Sequence, residues 1–292
     1  MKKFTITGFV VISALLLGAC GAGNLHPVVV NGRYGYIDHS GKLAITPQFD
    51  AAGRFSESLA PVQTNGKWGY IDRTGKLVIT PQFDLADPFS SDGLALVGSN
   101  GTLGYLKKDG QFAVQPAYMG AGSFGDNLAP VLVNNNVNNQ WGYINPKGAL
   151  VIMPQFDEAG SFSEGLAAVR VGNQRGYIDK SGKLVINPQF DVAGDFHNGR
   201  AVVGSGGRFG YVDRNAKFVI QPQFNAAGDF NDGLALVAVG PRFGFIREDG
   251  KFEINPQFDK VGAFEDGLAP VWLAGREGYI NKQGKYVWNP TA

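Results

Sequence analysis

The sequence predicts an all-β repeat protein of eight three-stranded antiparallel units, set in a β-propeller-like ring, with an open β-solenoid as the alternative. Two periodic features carry this reading. A phrase clearest as Gly66-Lys67-Trp68-Gly69-Tyr70-Ile71-Asp72 recurs eight times. Its glycine falls at Gly35, Gly69, Gly104, Gly142, Gly176, Gly210, Gly244 and Gly278, with spacings of 34, 35, 38, 34, 34, 34 and 34. The prolines Pro47, Pro81, Pro116, Pro154, Pro188, Pro222, Pro256 and Pro290 keep the same spacings. Self-similarity at a fixed period marks a solenoid or propeller and overrides any residue-by-residue assignment.

The first twenty residues stand outside the repeat. Lys2 and Lys3 precede a mostly apolar stretch, residues 4–17, that is short for a bilayer span. Leu17-Gly18-Ala19-Cys20 closes it with small residues before a cysteine. This reads as a signal peptide rather than a transmembrane helix. These residues resemble a bacterial lipoprotein signal with its lipobox. The resemblance implies that residues 1–19 are removed and that Cys20 is diacylated through its sulfur and N-acylated as the mature N-terminus. An ordinary secretory peptide with an incidental cysteine is the alternative. Cys20 is the only cysteine in the chain, and acyl chains contribute about 0.8 kcal/mol per buried methylene to anchoring. Gly21 follows where an aspartate would suggest inner-membrane retention. By resemblance to Gram-negative sorting rules, the outer membrane is the expected destination. Residues 20–25 are then a short tether and 26–292 the repeat domain.

With Cys20 lipidated, no cysteine remains for a disulfide or a thiolate metal site. An exported domain of this size must rely on its core, and the chain is long enough to build one. The precursor has 26 basic and 25 acidic residues; without Lys2 and Lys3 the balance is 24 against 25. No basic run occurs, so nucleic acid is not an expected partner.

One unit, residues 59–93, explains the rest. Leu59-Ala60-Pro61-Val62-Gln63-Thr64 is strand a, and Asn65-Gly66 is a hairpin signal. Trp68-Gly69-Tyr70-Ile71-Asp72 is strand b, Arg73-Thr74-Gly75-Lys76 a turn, and Leu77-Val78-Ile79-Thr80 strand c. In the b–c turn Asp38, Asp72, Asp179 and Asp213 stand three residues before Gly41, Gly75, Gly182 and Ala216. A short acid can bond the turn backbone there, so these acids read as turn formers rather than metal ligands. A connector of about twelve residues follows. It carries two aromatic anchors, such as Phe156 and Phe162, expected to pack between units. Strand c is apolar at consecutive positions, as in Leu184-Val185-Ile186, and strand a as in Leu234-Ala235-Leu236-Val237. Strands apolar on both faces are expected to be covered on both, so the small sheets stack face to face. No half unit is left over for closure by strand exchange, which keeps the open solenoid in view.

Lys67-Trp68-Gly69-Tyr70-Ile71-Asp72, with Gly75-Lys76, Pro81-Gln82-Phe83-Asp84 and Gly93-Leu94-Ala95, resembles the bacterial WG-repeat (KWG-repeat) family. The resemblance covers essentially the whole mature chain. It implies an all-β repeat protein, frequently secreted or envelope-attached, without a general enzymatic activity.

The residue before the repeat glycine is Tyr34, Trp68, Leu103, Trp141, Arg175, Phe209, Phe243 or Glu277, whereas the residue after it is always aromatic. The first position is therefore expected to be partly exposed and the second packed. Trp68 and Trp141 are the candidate ligand surface, as stacking faces for a glycan or peptide; the plainer reading is that they cover strand edges. The insertion Asn134-Asn135-Asn136-Val137-Asn138-Asn139-Gln140 reads as an exposed hairpin tip. His26, His39 and His197 lie in different units, and no phosphate loop precedes a helix. Glu57, Asp92, Glu164, Asp232 and Asp266 recur at one place in each unit and read as turn residues, although a ring could gather them into an acidic mouth. No enzyme activity, metal or cofactor is expected. The expected role is an exported, lipid-anchored envelope module that binds an unidentified protein or glycan, with its membrane contact made through the anchor. A polysaccharide-acting enzyme and a structural spacer are the alternatives.

Overall fold

A computed structural model describes residues 25–134 and 139–291. The signal segment, Cys20 and the tip of the fourth-unit insertion lie outside the described residues. Eight antiparallel sheets, one per repeat, form an eight-bladed β-propeller.

Blade 2 shows why this sequence makes a blade. Strand a is Leu59–Thr64, b is Lys67–Asp72 and c is Leu77–Phe83. Asn65 and Gly66 take φ of 53° and 75°, as the tight hairpin between a and b requires. In the b–c turn Asp72 Oδ1 accepts bonds from the Thr74 amide at 2.9 Å, the Thr74 hydroxyl at 2.6 Å and the Lys76 amide at 3.1 Å. The turn acids thus do what their spacing predicts.

The two recurring motifs meet at one point. Strand c pairs with b at Trp68–Phe83 and again at Tyr70–Ile79, with a register shift between. Over that shift the backbone of c presses onto Gly69: a Cβ there would stand 2.4 Å from the Ile79 carbonyl oxygen and 2.7 Å from the Pro81 nitrogen. Only glycine permits that approach, and proline, lacking an N–H, suits the arch that leaves the ladder.

The connector is more than a loop. In six blades it contributes a fourth, innermost strand, such as Ala51–Ala52 in blade 2 and the longer Val192–His197 and Ala226–Asn231 in blades 6 and 7. Sheet order from the axis outward is therefore inner strand, a, b, c. This corrects the expectation that strand c is covered on both faces. Ile186 and Phe190 are buried between blades, but Leu184 and Val185 are 37% and 50% exposed. Strand c is the outer edge of each sheet, so its first residues face outward. Strand a is covered on both faces as expected: Leu234 through Ala238 are all buried.

The core is divided into eight clusters, one at each blade–blade interface. A single device repeats in them. The tyrosine after the repeat glycine is buried, and its hydroxyl donates to a backbone carbonyl of the next blade's inner segment, 17 residues on. Tyr36 reaches Gly53, Tyr70 reaches Asp87, Tyr105 reaches Gly122, Tyr143 reaches Gly160, Tyr177 reaches Gly194 and Tyr211 reaches Gly228, at 2.7–2.8 Å. Each ring also packs on the second phenylalanine of that connector, with centroids 4.6–4.9 Å apart. Phe245 keeps the ring contact with Phe264 and lacks the hydroxyl.

Blades 8 and 1 touch, so the ring is closed. Tyr279 donates to the Pro27 carbonyl at 2.8 Å, and Gly41 lies against Val287. Arg54 of blade 2 reaches past blade 1 to pair with Glu265 of blade 8. Closure therefore needs no strand exchange. It is also the thinnest interface: among the described residues, Val28, Ile37, Leu268 and Tyr279 are its buried apolar members, against seven to ten elsewhere. In place of a phenylalanine, His26 packs on Tyr279 at 5.6 Å and on His39 at 5.5 Å. Burial first, then the His39 and Arg54 charges, pushes the His26 pKa down to about 4.

Tyr279→Phe is expected to lower the unfolding free energy by about 1–2 kcal/mol, since it strands a buried carbonyl. Amides of blades 1 and 8 should then exchange before those of blades 4 and 5; uniform exchange around the ring would refute a weak seam. The seam accommodates neutral His26, so its contribution is full above about pH 6.5 and is lost as pH falls towards about 4. His26→Phe should flatten this limb in denaturant melts recorded across that range.

Candidate functional site at the ring axis

The inner strands line the axis, and the tyrosine bonds fix their backbone. The residue before the second phenylalanine anchor comes next to the axis in each. It is Arg54, Pro88, Ser123, Ser161, Asp195, Asp229 and Ala263 in blades 2 to 8. The frame repeats, but these side chains differ in charge and size.

Neighbouring blades link them. The Ser123 hydroxyl donates to Asp87 Oδ2 at 3.3 Å, and the Ser161 hydroxyl to the Ser123 carbonyl at 2.7 Å. Across the ring, Asp229 is 6% exposed, and its Oδ1 stands 3.1 Å from where a Gly194 Cβ would be. His197 Nε2 lies 3.7 Å from Asp229 Oδ2. Asp229 Oδ1 and Asn231 Oδ1 are buried acceptors without a partner among the described residues.

Burial, then the charge of Asp195, pushes the Asp229 carboxyl well above the usual carboxylate range, and burial pushes Asp195 up to about 6. Asp229 is buried and Asp195 half-buried beside it; two such carboxyls cannot both ionise freely, so the pair holds a proton towards neutral pH. Burial raises Asp87, opposed by the Ser123 bond, and lowers Arg54. The result is an asymmetric mouth. It is acidic and acceptor-rich at blades 6 and 7, hydroxyl-lined at blades 4 and 5, and carries the Arg54–Glu265 ion pair at blade 2. Among the described residues no group of three or more His, Cys, Asp or Glu is placed to hold a metal ion.

The sequence-predicted residues lie elsewhere. Trp68 and Trp141 are half-buried and pack against the interface clusters of blades 2–3 and 4–5. They are two blades apart, a quarter turn of the ring, so they share no pocket. The other members of that position are half-buried too, as its tolerance of Arg175 and Glu277 predicts. The repeated acids do not gather at the axis. Glu164 Oε2 accepts the Gly199 amide at 3.0 Å and Asp232 Oδ2 the Gly267 amide at 2.7 Å, so they latch one blade's turn to the next. A groove of about 610 Å³ between blades 7 and 8 is lined by Arg247, Glu253, Asp232 and Lys282, whose charges largely pair with one another.

Sequence reasoning passed over Arg54, Asp87, Ser123, Ser161, Asp195 and Asp229 because they sit in a stretch read as a loop. The signal was the position before each second phenylalanine, which varies inside a strict repeat.

A family model described as "WG containing repeat" matches residues 34–68, 68–102, 104–136, 141–174, 176–208, 209–240 and 243–271. No curated protein matches the chain. Among solved structures, the dihydro-heme d1 dehydrogenase NirN is similar at a TM-score of 0.60 and 15% identity, over 96% of this chain and 76% of that one. A eukaryotic initiation factor is similar at 0.55 and 11%, over 91% and 85%. Kluyveromyces lactis Hsv2p is similar at 0.51 and 9%, over 77% and 89%. At these identities the likeness is one of fold alone.

Asp195→Asn removes a charge that the folded axis disfavours. An acid raised on folding contributes its stability at low pH and loses it as pH rises through the folded value. The variant should match the parent below about pH 4 and exceed it by about 2 kcal/mol above about pH 6. Chemical denaturation at both ends of that range checks it, and a parallel offset at all pH would exclude the buried pair.

Proposed function

The chain belongs to the WG-containing repeat family, and from that premise we propose that it is an exported, lipid-anchored module of the bacterial cell envelope that binds a protein or glycan at its axial mouth. The carrying observation is that the seven inner segments share one backbone frame and five of them present polar side chains of different charge and size to the axis. Arg54 has a structural task at the seam through Glu265, but a ring built only as a spacer gains nothing from Asp195 beside the buried Asp229, whose Oδ1 has no partner among the described residues. An asymmetric set of donors and acceptors suits a ligand with its own polar pattern, held by several orienting groups. The role is binding without catalysis and needs no cofactor. The Ser123 and Ser161 hydroxyls already serve as donors to Asp87 and to a backbone carbonyl.

Export and anchoring rest on residues 1–20: the basic pair, the apolar stretch and Leu17-Gly18-Ala19-Cys20. Gly21 favours the outer membrane by the sorting resemblance. Among the described residues no helix is long and apolar enough to cross a membrane, and the anchor would supply the attachment. The Lys67-Trp68-Gly69 form of the repeat supports reading the chain as of the KWG type, and Trp68 and Trp141 are offered as secondary stacking faces.

A photo-crosslinking residue at Ser161 in the full chain, in intact envelopes, should yield a discrete adduct that Asp195→Ala abolishes. The same residue at Asn100, on a hairpin tip, should yield none. Protease and glycosidase digestion tells a protein adduct from a glycan. Adducts from Asn100 but not Ser161 would move the ligand off the axis.

A further inference from the structure

The axial position serves the ring's own structure in some blades and not in others. Arg54 is paired with Glu265, and the Ser161 hydroxyl is bonded to the Ser123 carbonyl. At blades 6 and 7 that use stops. Among the described residues no lysine or arginine pairs with Asp195 or Asp229. Arg200, which faces His197 in the ladder, is turned instead to Glu248 and stacked on Phe230 at 5.7 Å.

Two residues further along each inner segment the contrast repeats. In blades 2 and 5 that residue is Ser56 or Ser163, whose hydroxyl donates to the Phe89 or Phe196 carbonyl of the next blade at 2.5 and 2.7 Å. In blade 7 it is Asn231, which is fully buried. Its Nδ2 turns back to the Asp229 carbonyl at 3.5 Å, which sets the amide's orientation beside that acid. Asn231 Oδ1 and Asp229 Oδ1 are then two buried acceptors without a partner among the described residues. A side chain on residue 194 would crowd Asp229 Oδ1 at 3.1 Å, and Gly194 leaves that approach clear. Each buried acceptor left unpaired costs about 1–3 kcal/mol. Two of them beside an unpaired carboxyl are complementary to a donor that arrives from outside.

The donor's chemistry follows from the site. Two carboxyls and an amide oxygen call for N–H groups that carry positive charge. Among the described residues no third metal-ligating side chain joins them. Asp229 is almost wholly buried, so the charge must come on a compact head with a slim stem. A lysine ammonium has three donors and no acceptor on an unbranched chain, whereas a guanidinium is a broad plane and an amino sugar brings its ring. Burial holds His197 neutral, opposed by Glu164, so it does not fill the site with a cation of its own. Tyr143, Tyr177 and Tyr211 face the acids from behind and stay neutral.

We propose that the blade 6–7 edge of the axial mouth receives the side chain of a lysine from a partner polypeptide, with Asp229 Oδ1 and Asn231 Oδ1 accepting from its ammonium and Asp195 facing its charge. This rests on the axial-binding reading above and narrows its ligand to a protein. The ammonium binds the ionised pair and displaces the proton held there, so binding strengthens as pH rises through the Asp195 value of about 6.

The full chain, labelled with carbon-13 at aspartate carboxyls, is titrated with Nα-acetyl-lysine methylamide. The Asp195 and Asp229 signals should move along one saturation curve, at least about tenfold tighter at about pH 7.5 than at about pH 5. Asp195→Asn should keep the cooperative melt and bind at least about tenfold more weakly. Glu253→Gln, which removes an exposed acid of the perimeter, should bind as the parent does; an equal loss there would reduce the effect to net charge and overturn the site. The Nε-trimethylated probe keeps the charge without donors, and glucosamine carries its amine on a ring. Both should bind more weakly than the lysine probe. Equal binding of the trimethylated probe overturns the proposal, and equal or tighter binding of glucosamine overturns it in favour of an amino sugar. Carboxyl signals that the lysine probe leaves unmoved overturn it without recourse to any variant. The Ser161 adduct judges axial binding separately: a protein adduct there, with unmoved carboxyls, removes the lysine and leaves the mouth.

Discussion

Each blade holds its neighbour through a buried aromatic ring. In six blades that ring is a tyrosine with two tasks: its face packs on the next connector's phenylalanine and its hydroxyl satisfies a carbonyl of the next inner segment. A buried hydroxyl and a buried carbonyl are each costly alone, and together they specify one spacing and one orientation. That spacing fixes how far the inner segment lies from the axis. It also fixes where the residue after the bonded carbonyl points. The glycine beside the tyrosine lets strand c close over strand b, and the next blade's turn then packs on the isoleucine of that strand c, as Gly75 does on Ile45. One aromatic position therefore coordinates the inner edge, and its glycine the outer edge, of every interface.

A frame held so uniformly can vary where nothing structural is asked of a side chain. The axial position is such a place, because its backbone is already fixed from behind. Arg54 and Ser161 use that freedom for contacts to other blades, with Glu265 and the Ser123 carbonyl, whereas Asp195 and Asp229 face each other, and the differences add up to one polar surface with a direction. The perimeter turns are a second such place. There the backbone bond and the Asx contact set the turn, and the remaining positions collect lysine and arginine.

Much of this was legible in the sequence. The period located every blade, and the Gly69–Pro81 spacing marked the arch of strand c before its contact was visible. The turn chemistry of Asp72 and of Asn65-Gly66 followed from residue type alone. The inner strand was not legible, because in Ala51–Ala52 it is two residues long and too short to show alternation. Missing it concealed the axial role of Asp195 and Asp229. The exposure of Leu184 and Val185 was misjudged because a β-branched run reads alike in a central strand and at a sheet edge; only sheet order separates them. Closure was underrated since the partner that Tyr279 meets there is His26, which stands in place of the phenylalanine of the other interfaces and carries no repeat signature.

The seam also sets an order of events. Between other neighbouring blades the hydrogen bonds span far less, 17 positions from Tyr70 to Asp87 and 51 from Lys108 to Glu57, whereas Tyr279 must find Pro27 across 252. Local contacts form early, and a contact that closes so long a loop forms late. A chain made from its N-terminus can stack seven interfaces as the blades emerge. The apolar face of blade 1, with Val28 and Ile37, stays uncovered until blade 8 arrives. For that interval the molecule is a curved stack with one sticky end, and any factor that guards it in transit would have to cover the first blade.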